Sequence, residues 1–154
     1  MFDLFTPSKV HYPRLLAVWE SSVRATHHFL DPGDIEFFKT VIQDKDVFAQ
    51  VTLIAAKNEL GHIVGFAGVS GEHLEMLFID AAYRGKGLGK LLLLHVINNC
   101  NVIKVDVNEQ NSEAVNFYRH FGFTTVSRDE LDGSGKPYPI LHLQLKPSDL
   151  NFLK

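Results

Sequence analysis

A single cysteine, Cys100, excludes an internal disulfide, and no Cys/His spacing or H-E-x-x-H run is present to hold a metal. No apolar run is long enough to span a bilayer, and the opening MFDLFTPSKV lacks the basic, apolar and small-residue succession of a secretory leader. A formal net charge of −3 leaves no basic footprint for nucleic acid. These absences predict a soluble cytoplasmic protein with no metal, membrane or nucleic-acid partner. What remains is ordinary globular composition, with 45% hydrophobic and 21% charged residues, and the 154 residues suit a single domain over 1–154.

The chemistry begins at Leu77 to Leu93, LFIDAAYRGKGLGKLLL. An apolar run ends at Asp80, a basic glycine-spaced turn follows, and an aliphatic run opens at Leu91: strand, glycine loop, helix start. Glycines permit positive φ and close backbone approach, and the free N–H groups of a helix start attract an anion. With Arg84, Lys86 and Lys90 added, the segment reads as a pyrophosphate cradle. It is not a Walker A loop, because Arg84 stands where the first glycine is required and Leu91 follows the Gly89-Lys90 pair. Nor is it a dinucleotide fingerprint, because Gly85, Gly87 and Gly89 give G-x-G-x-G in mid-chain. The pattern R-x-x-G-x-G over Arg84, Gly87 and Gly89 does fit a coenzyme A loop.

Around the cradle, apolar periodicity predicts a short edge strand at Phe2–Thr6 and a helix from Pro13 to about Ala25. A second helix opens with Asp31 as N-cap and Pro32 at its first position. Strands are expected at Val47–Lys57, Ile63–Ser70 and His73–Asp80, with a turn at Asn58–Gly61. Beyond the cradle come a buried helix at Gly89–Asn99, a strand at Val102–Val107 and a helix capped by Asn111 or Ser112 that runs to His120. Strands at Phe123–Arg128 and Ile140–Leu145 complete the chain. Hairpins before the cradle and a βαβ crossover after it make an α/β fold with a mixed sheet and helices on both faces.

A second constellation, VDVNEQNSEAVNFYRHFGF at Val105–Phe123, contains N-x-x-A-x-x-F-Y. Asn111, Ala114 and Tyr118 share one helix face through i+3 and i+4 steps, which places two polar groups on an otherwise apolar stripe. The two constellations, in this order, resemble the GNAT N-acetyltransferases, and the resemblance runs nearly end to end. The segments ATHHFL, LEMLFID, DVNEQN and GKPYPILHL resemble its YjaB-type branch of bacterial proteins. Ala81 departs from the proline often found after that strand, which concerns a turn and no chemical group.

The resemblance implies a mostly antiparallel sheet of six to seven strands, splayed where acetyl-CoA binds. It implies acetyl transfer to a primary amine by direct attack in a ternary complex. Backbone groups of Leu77 and Ile79 would pair with the pantetheine arm, and the N–H near Leu77 or Phe78 would polarise the thioester carbonyl. Arg84, Gly85, Lys86, Gly87, Leu88, Gly89 and Lys90 would hold the pyrophosphate, Asn111 would contact the pantetheine, and Tyr118 would protonate the departing thiolate.

The attacking amine must lose a proton, and Glu75, His73, His27 and His28 are the candidate bases, with Glu75 first because it lies beside the expected splay. Strict alternation would turn His73, Glu75 and Leu77 to one face and Leu74, Met76 and Phe78 to the other. Trp19, His27 and His73 are expected to line the acceptor pocket. His62, His95, His120 and His142 read as structural or solvated, and Cys100 as a buried structural thiol. A non-catalytic acyl-CoA sensor that docks a partner protein is the competing reading; it would have no need of Tyr118 or a base. The acceptor, a small molecule or a peptide amine, and the choice of monomer or homodimer stay open.

Overall fold

The computed structural model describes residues 1–146. Seven strands form one sheet in the order β1-β2-β3-β4-β5-β7-β6. The strands are β1 (Asp3–Phe5), β2 (Thr52–Lys57), β3 (Ile63–Ser70), β4 (His73–Ile79), β5 (Lys104–Asn108), β6 (Phe123–Asp129) and β7 (Ile140–Leu145). Every neighbouring pair is antiparallel except β4–β5. That parallel pair is joined through helix α3 (Leu88–Cys100), the crossover expected from the sequence.

Helices α1 (Tyr12–Thr26) and α2 (Pro32–Asp44) cover one face of the sheet; α3 and α4 (Ser112–His120) cover the other. Leu15, Val18, Trp19 and Val23 of α1 pack with Phe48 and Phe66 on the first face. Leu93, Val96 and Ile97 of α3 pack with Val105, Phe123 and Leu143 on the second. Cys100 is half-buried against this second cluster. None of the helices among the described residues is long and apolar enough to cross a membrane.

Two local departures from the expected pattern shape the site. Val47–Gln50, expected as the start of a strand, is a 3-10 turn, and β2 begins only at Thr52. Phe48 is buried there against Phe66 and Tyr12, so core packing decides the backbone against local β-propensity. The second departure lies in β4. Gly68 pairs with Met76 and Val69 with Leu74, leaving Glu75 as an unpaired extra residue. Strict alternation therefore fails: Leu74 and Leu77 face the α3 side, and Met76 and Phe78 face the α1 side.

Candidate active site

The strands β4 and β5 are partners only at His73–Lys104 and Leu74–Val105; beyond Leu74 the sheet splays. Which backbone groups this exposes follows from parity. In an antiparallel pair, alternate residues exchange both bonds with their neighbour, and the intervening ones direct N–H and C=O the other way. The N–H of Asp80 donates to the Val64 carbonyl at 2.8 Å, in the same register as Phe78–Phe66 and Met76–Gly68. The backbone groups of Leu77 and Ile79 therefore face the gap toward β5, while the N–H of Phe78 is turned to β3.

The glycine loop lies at the end of this gap. Gly85 and Gly87 hold φ of +76° and +78°, and an added Cβ at either would meet no neighbour. Only backbone conformation, not crowding, therefore demands glycine there. Helix α3 takes its N-cap from Gly87, and its first long bond runs from the Leu91 N–H to the Gly87 carbonyl at 3.0 Å. The N–H groups from Gly85 to Lys90 find no acceptor among the described residues. An unbroken succession of orphan donors beside Lys90 is what a diphosphate requires.

A cavity of about 380 Å³ connects these parts; its walls include Leu77, Ile79, Gly87, Asn111 and Tyr118. Asn111 caps α4, its Oδ1 accepting the Ala114 N–H at 3.2 Å, which leaves its Nδ2 as the free donor. Tyr118 packs edge-on against Phe117 and Phe123, with centroids at 5.2 and 5.7 Å. Burial pushes its phenol well above the usual tyrosine value, so it stays a proton donor at any working pH.

A second cavity of about 300 Å³ lies between α1, α2 and the β6–β7 loop, walled by Trp19, Leu30, Phe38, Ile42 and Tyr138. His27 and Phe78 line both cavities and mark their junction. His27 is half-buried, and that burial, reinforced by neighbouring His28, holds its imidazole at about 4. Its ring lies 5.3 Å from that of Phe29, which in turn lies 5.8 Å from Tyr138.

Trp19 and His27 thus stand on cavity walls, and Glu75 and His73 do not. Glu75 is the bulged residue, exposed and on neither cavity wall, so its position does not suit a base for a group in the cleft. His73 lies over the opposite stretch of β4. Its Nε2 is 3.1 Å from Asp106 Oδ2 but not aligned for a hydrogen bond, and it too lines neither cavity. His28 is exposed. Glu113, which ion-pairs with Arg84 across the cleft mouth, had no sequence signal beyond its place in the first turn of α4.

The sequence model of the acetyltransferase (GNAT) domain matches residues 22–136. This chain belongs to the GNAT acetyltransferase family. It is 39% identical over 130 residues to the peptidyl-lysine N-acetyltransferase YjaB of Salmonella typhimurium, covering 84% of this chain and 88% of the relative. The solution structure of apo YjaB from Escherichia coli superposes with a TM-score of 0.84 at 36% identity, over 94% of this chain and 97% of that one. The PaiA N-acetyltransferase of Thermoplasma acidophilum, solved in complex with coenzyme A, shares the fold: TM-score 0.72, 20% identity, 94% and 99% coverage. This GNAT protein is accordingly an N-acetyltransferase, and the mixed, splayed sheet is the fold of its family.

Proposed function

We propose that this enzyme transfers an acetyl group from acetyl-CoA to a single primary amine carried on an apolar stem, with a lysine side chain in a peptide as the leading acceptor. The observation that carries this reading is the meeting of two unlike cavities at one point. One is rimmed by orphan N–H donors and suits a diphosphate; the other is walled by Trp19, Leu30, Phe38, Ile42 and Tyr138 and suits methylenes. A polyamine would need several carboxylates along its length. The second cavity has one, Asp132, and its Oδ1 already accepts the N–H groups of Ser134 and Lys136 at 2.9 Å. The peptidyl-lysine acetyltransferase relative supports the same choice.

In this reading the loop from Arg84 to Lys90 holds the pyrophosphate, and Leu77 and Ile79 pair with the pantetheine through the groups facing the gap. The thioester supplies an activated acyl carbon. Of the N–H groups of Leu77 and Phe78, that of Leu77 is free to stabilise the developing oxyanion, since Phe78 spends its own on β3. Tyr118 donates its proton to the leaving thiolate. The setting is cytoplasmic.

Titration calorimetry of acetyl-CoA against wild type and Gly87→Glu tests the first half, with circular dichroism to confirm folding. Binding by wild type that is lost in the folded variant is the expected result; no binding by folded wild type sinks the proposal. A panel of lysine peptides, spermine and simple alkylamines, followed by thiol release, tests the second half. Preference for spermine over every lysine peptide would overturn the acceptor assignment.

A further inference from the structure

His27 is the titratable side chain common to both cavities, and its hydrogen bonding selects one tautomer. The Thr26 hydroxyl donates to the Ser22 carbonyl one helical turn back, at 2.8 Å. With its proton spent there, the Thr26 oxygen can only accept, and it lies 2.7 Å from His27 Nδ1. Nδ1 must therefore carry the hydrogen, and Nε2 is left as a bare lone pair. The end of α1 supports this arrangement, since the His27 N–H still bonds to the Val23 carbonyl at 2.8 Å and pins the residue to the helix.

We infer that His27 is the catalytic base of the transfer, its Nε2 accepting the proton of the attacking amine at the junction of the two cavities. The inference rests on the function proposed above. As the amine nitrogen bonds to the acyl carbon, the carbon–sulfur bond breaks. The amine proton passes to Nε2, and the thiolate takes its proton from Tyr118, so charge and protons balance. A half-buried neutral imidazole is too weak a base to strip a free ammonium ion. It is suited to the nitrogen that has already begun to bond to carbon, whose proton is far more acidic. The apolar second cavity contributes earlier, by disfavouring the ammonium form of the incoming amine. The charged groups around the two cavities are Arg84, Lys90 and Glu113 on one side and Asp132 on the other, and His28 is the neighbour that acts on the ring.

Two measurements test it. His27→Asn retains an N–H where Nδ1 meets Thr26 and removes Nε2. Its kcat on the best lysine peptide should fall by ~100-fold, as for loss of a general base, far more than any change in calorimetric affinity for acetyl-CoA. In His27→Ala, free imidazole in the buffer should restore part of the rate in proportion to its unprotonated fraction, which a merely structural role would not produce. A His27→Asn rate close to wild type overturns the inference. The second measurement needs no turnover: nitrogen NMR of histidine-labelled wild type with coenzyme A bound should show His27 neutral at pH 7, with a protonated Nδ1 and a bare Nε2. A protonated Nε2 overturns the inference even if no acceptor is found. Wild type that binds acetyl-CoA yet acetylates no amine overturns the proposed function instead, while the ring state still reads independently.

Discussion

The guanidinium of Arg84 is ion-paired with the carboxylate of Glu113, so a charge that the glycine loop offers to an anion is already neutralised from within the protein. The pair ties the loop before α3 to the first turn of α4, across the mouth of the larger cavity. Both side chains are well exposed, and such pairs contribute only about 0–1 kcal/mol to stability. Glu113 should therefore matter more to binding than to folding. Glu113→Gln is expected to tighten acetyl-CoA several-fold by calorimetry, as roughly 1 kcal/mol of competition is removed, and to leave the melting temperature nearly unchanged. Weaker binding in this variant would mean that Glu113 holds Arg84 in its productive position.

Tyr118 lines the cleft, and its hydroxyl makes no hydrogen bond to another described residue. Tyr118→Phe removes the hydroxyl of the proposed acid and little else, because the ring contacts with Phe117 and Phe123 persist. The expected outcome is a kcat lowered by ~100-fold with unchanged thermal stability and unchanged acetyl-CoA affinity. Since burial raises the phenol, the alkaline limb of the wild-type pH profile should not be set by Tyr118 near its ordinary value.

His142 sits between two carboxylates: its Nδ1 lies 2.5 Å from Asp106 Oδ1 and its Nε2 lies 2.7 Å from Asp129 Oδ2. Both nitrogens can donate only in the imidazolium form, and the hydrogen bonds to Asp129 and then Asp106 raise its pKa above the ordinary value. A raised value means stabilisation that is complete below the unfolded pKa of about 6.5 and is lost as pH rises through the folded value. Melting curves of wild type and His142→Gln should therefore diverge most below pH ~6 and converge in alkali. Parallel curves across that range would remove the clamp as a stabilising feature.

His27 has the opposite linkage. Its folded value of about 4 lies below the unfolded value, so stability attributable to it falls as pH drops through the window between the two. The full difference amounts to roughly 3 kcal/mol at the acid end. His27→Asn should be relatively more stable than wild type at pH ~4 than at pH ~7, checked by urea unfolding at both.

The β6–β7 loop is tied to α2 by Asp34, which accepts a hydrogen bond from the Tyr138 hydroxyl and pairs with Lys136 at 2.8 Å. Tyr138 forms part of the wall of the second cavity, the proposed acceptor site. Asp34→Ala is expected to raise KM for the amine while acetyl-CoA affinity stays constant. A change in acetyl-CoA affinity alone would show that the loop serves the other cavity.

Local chemistry in the sequence determined a good deal. The succession Arg84, Gly85, Lys86, Gly87, Leu88, Gly89, Lys90 specifies positive φ, cationic side chains and a helix start within a few residues, and the loop forms as those properties require. The bounds of β3, α4 and β7 were likewise legible, because period-2 and helical patterns there agree with the caps around them. Tertiary structure decided the rest. The bulge at Glu75 depends on how β4 registers against β3, and a one-residue slip reverses every following side chain, so alternation along the sequence could not show which face Glu75 and Leu77 take. Arg84 finds its partner 29 residues away, and His142 finds its two at 36 and 13 residues, beyond the reach of any local pattern. His27 was visible only as one of several histidines. Its distinction, a lone pair left bare by the Thr26 and Ser22 bonds at the meeting of two cavities, arises from burial and orientation that exist only once α1 is packed against the splayed sheet.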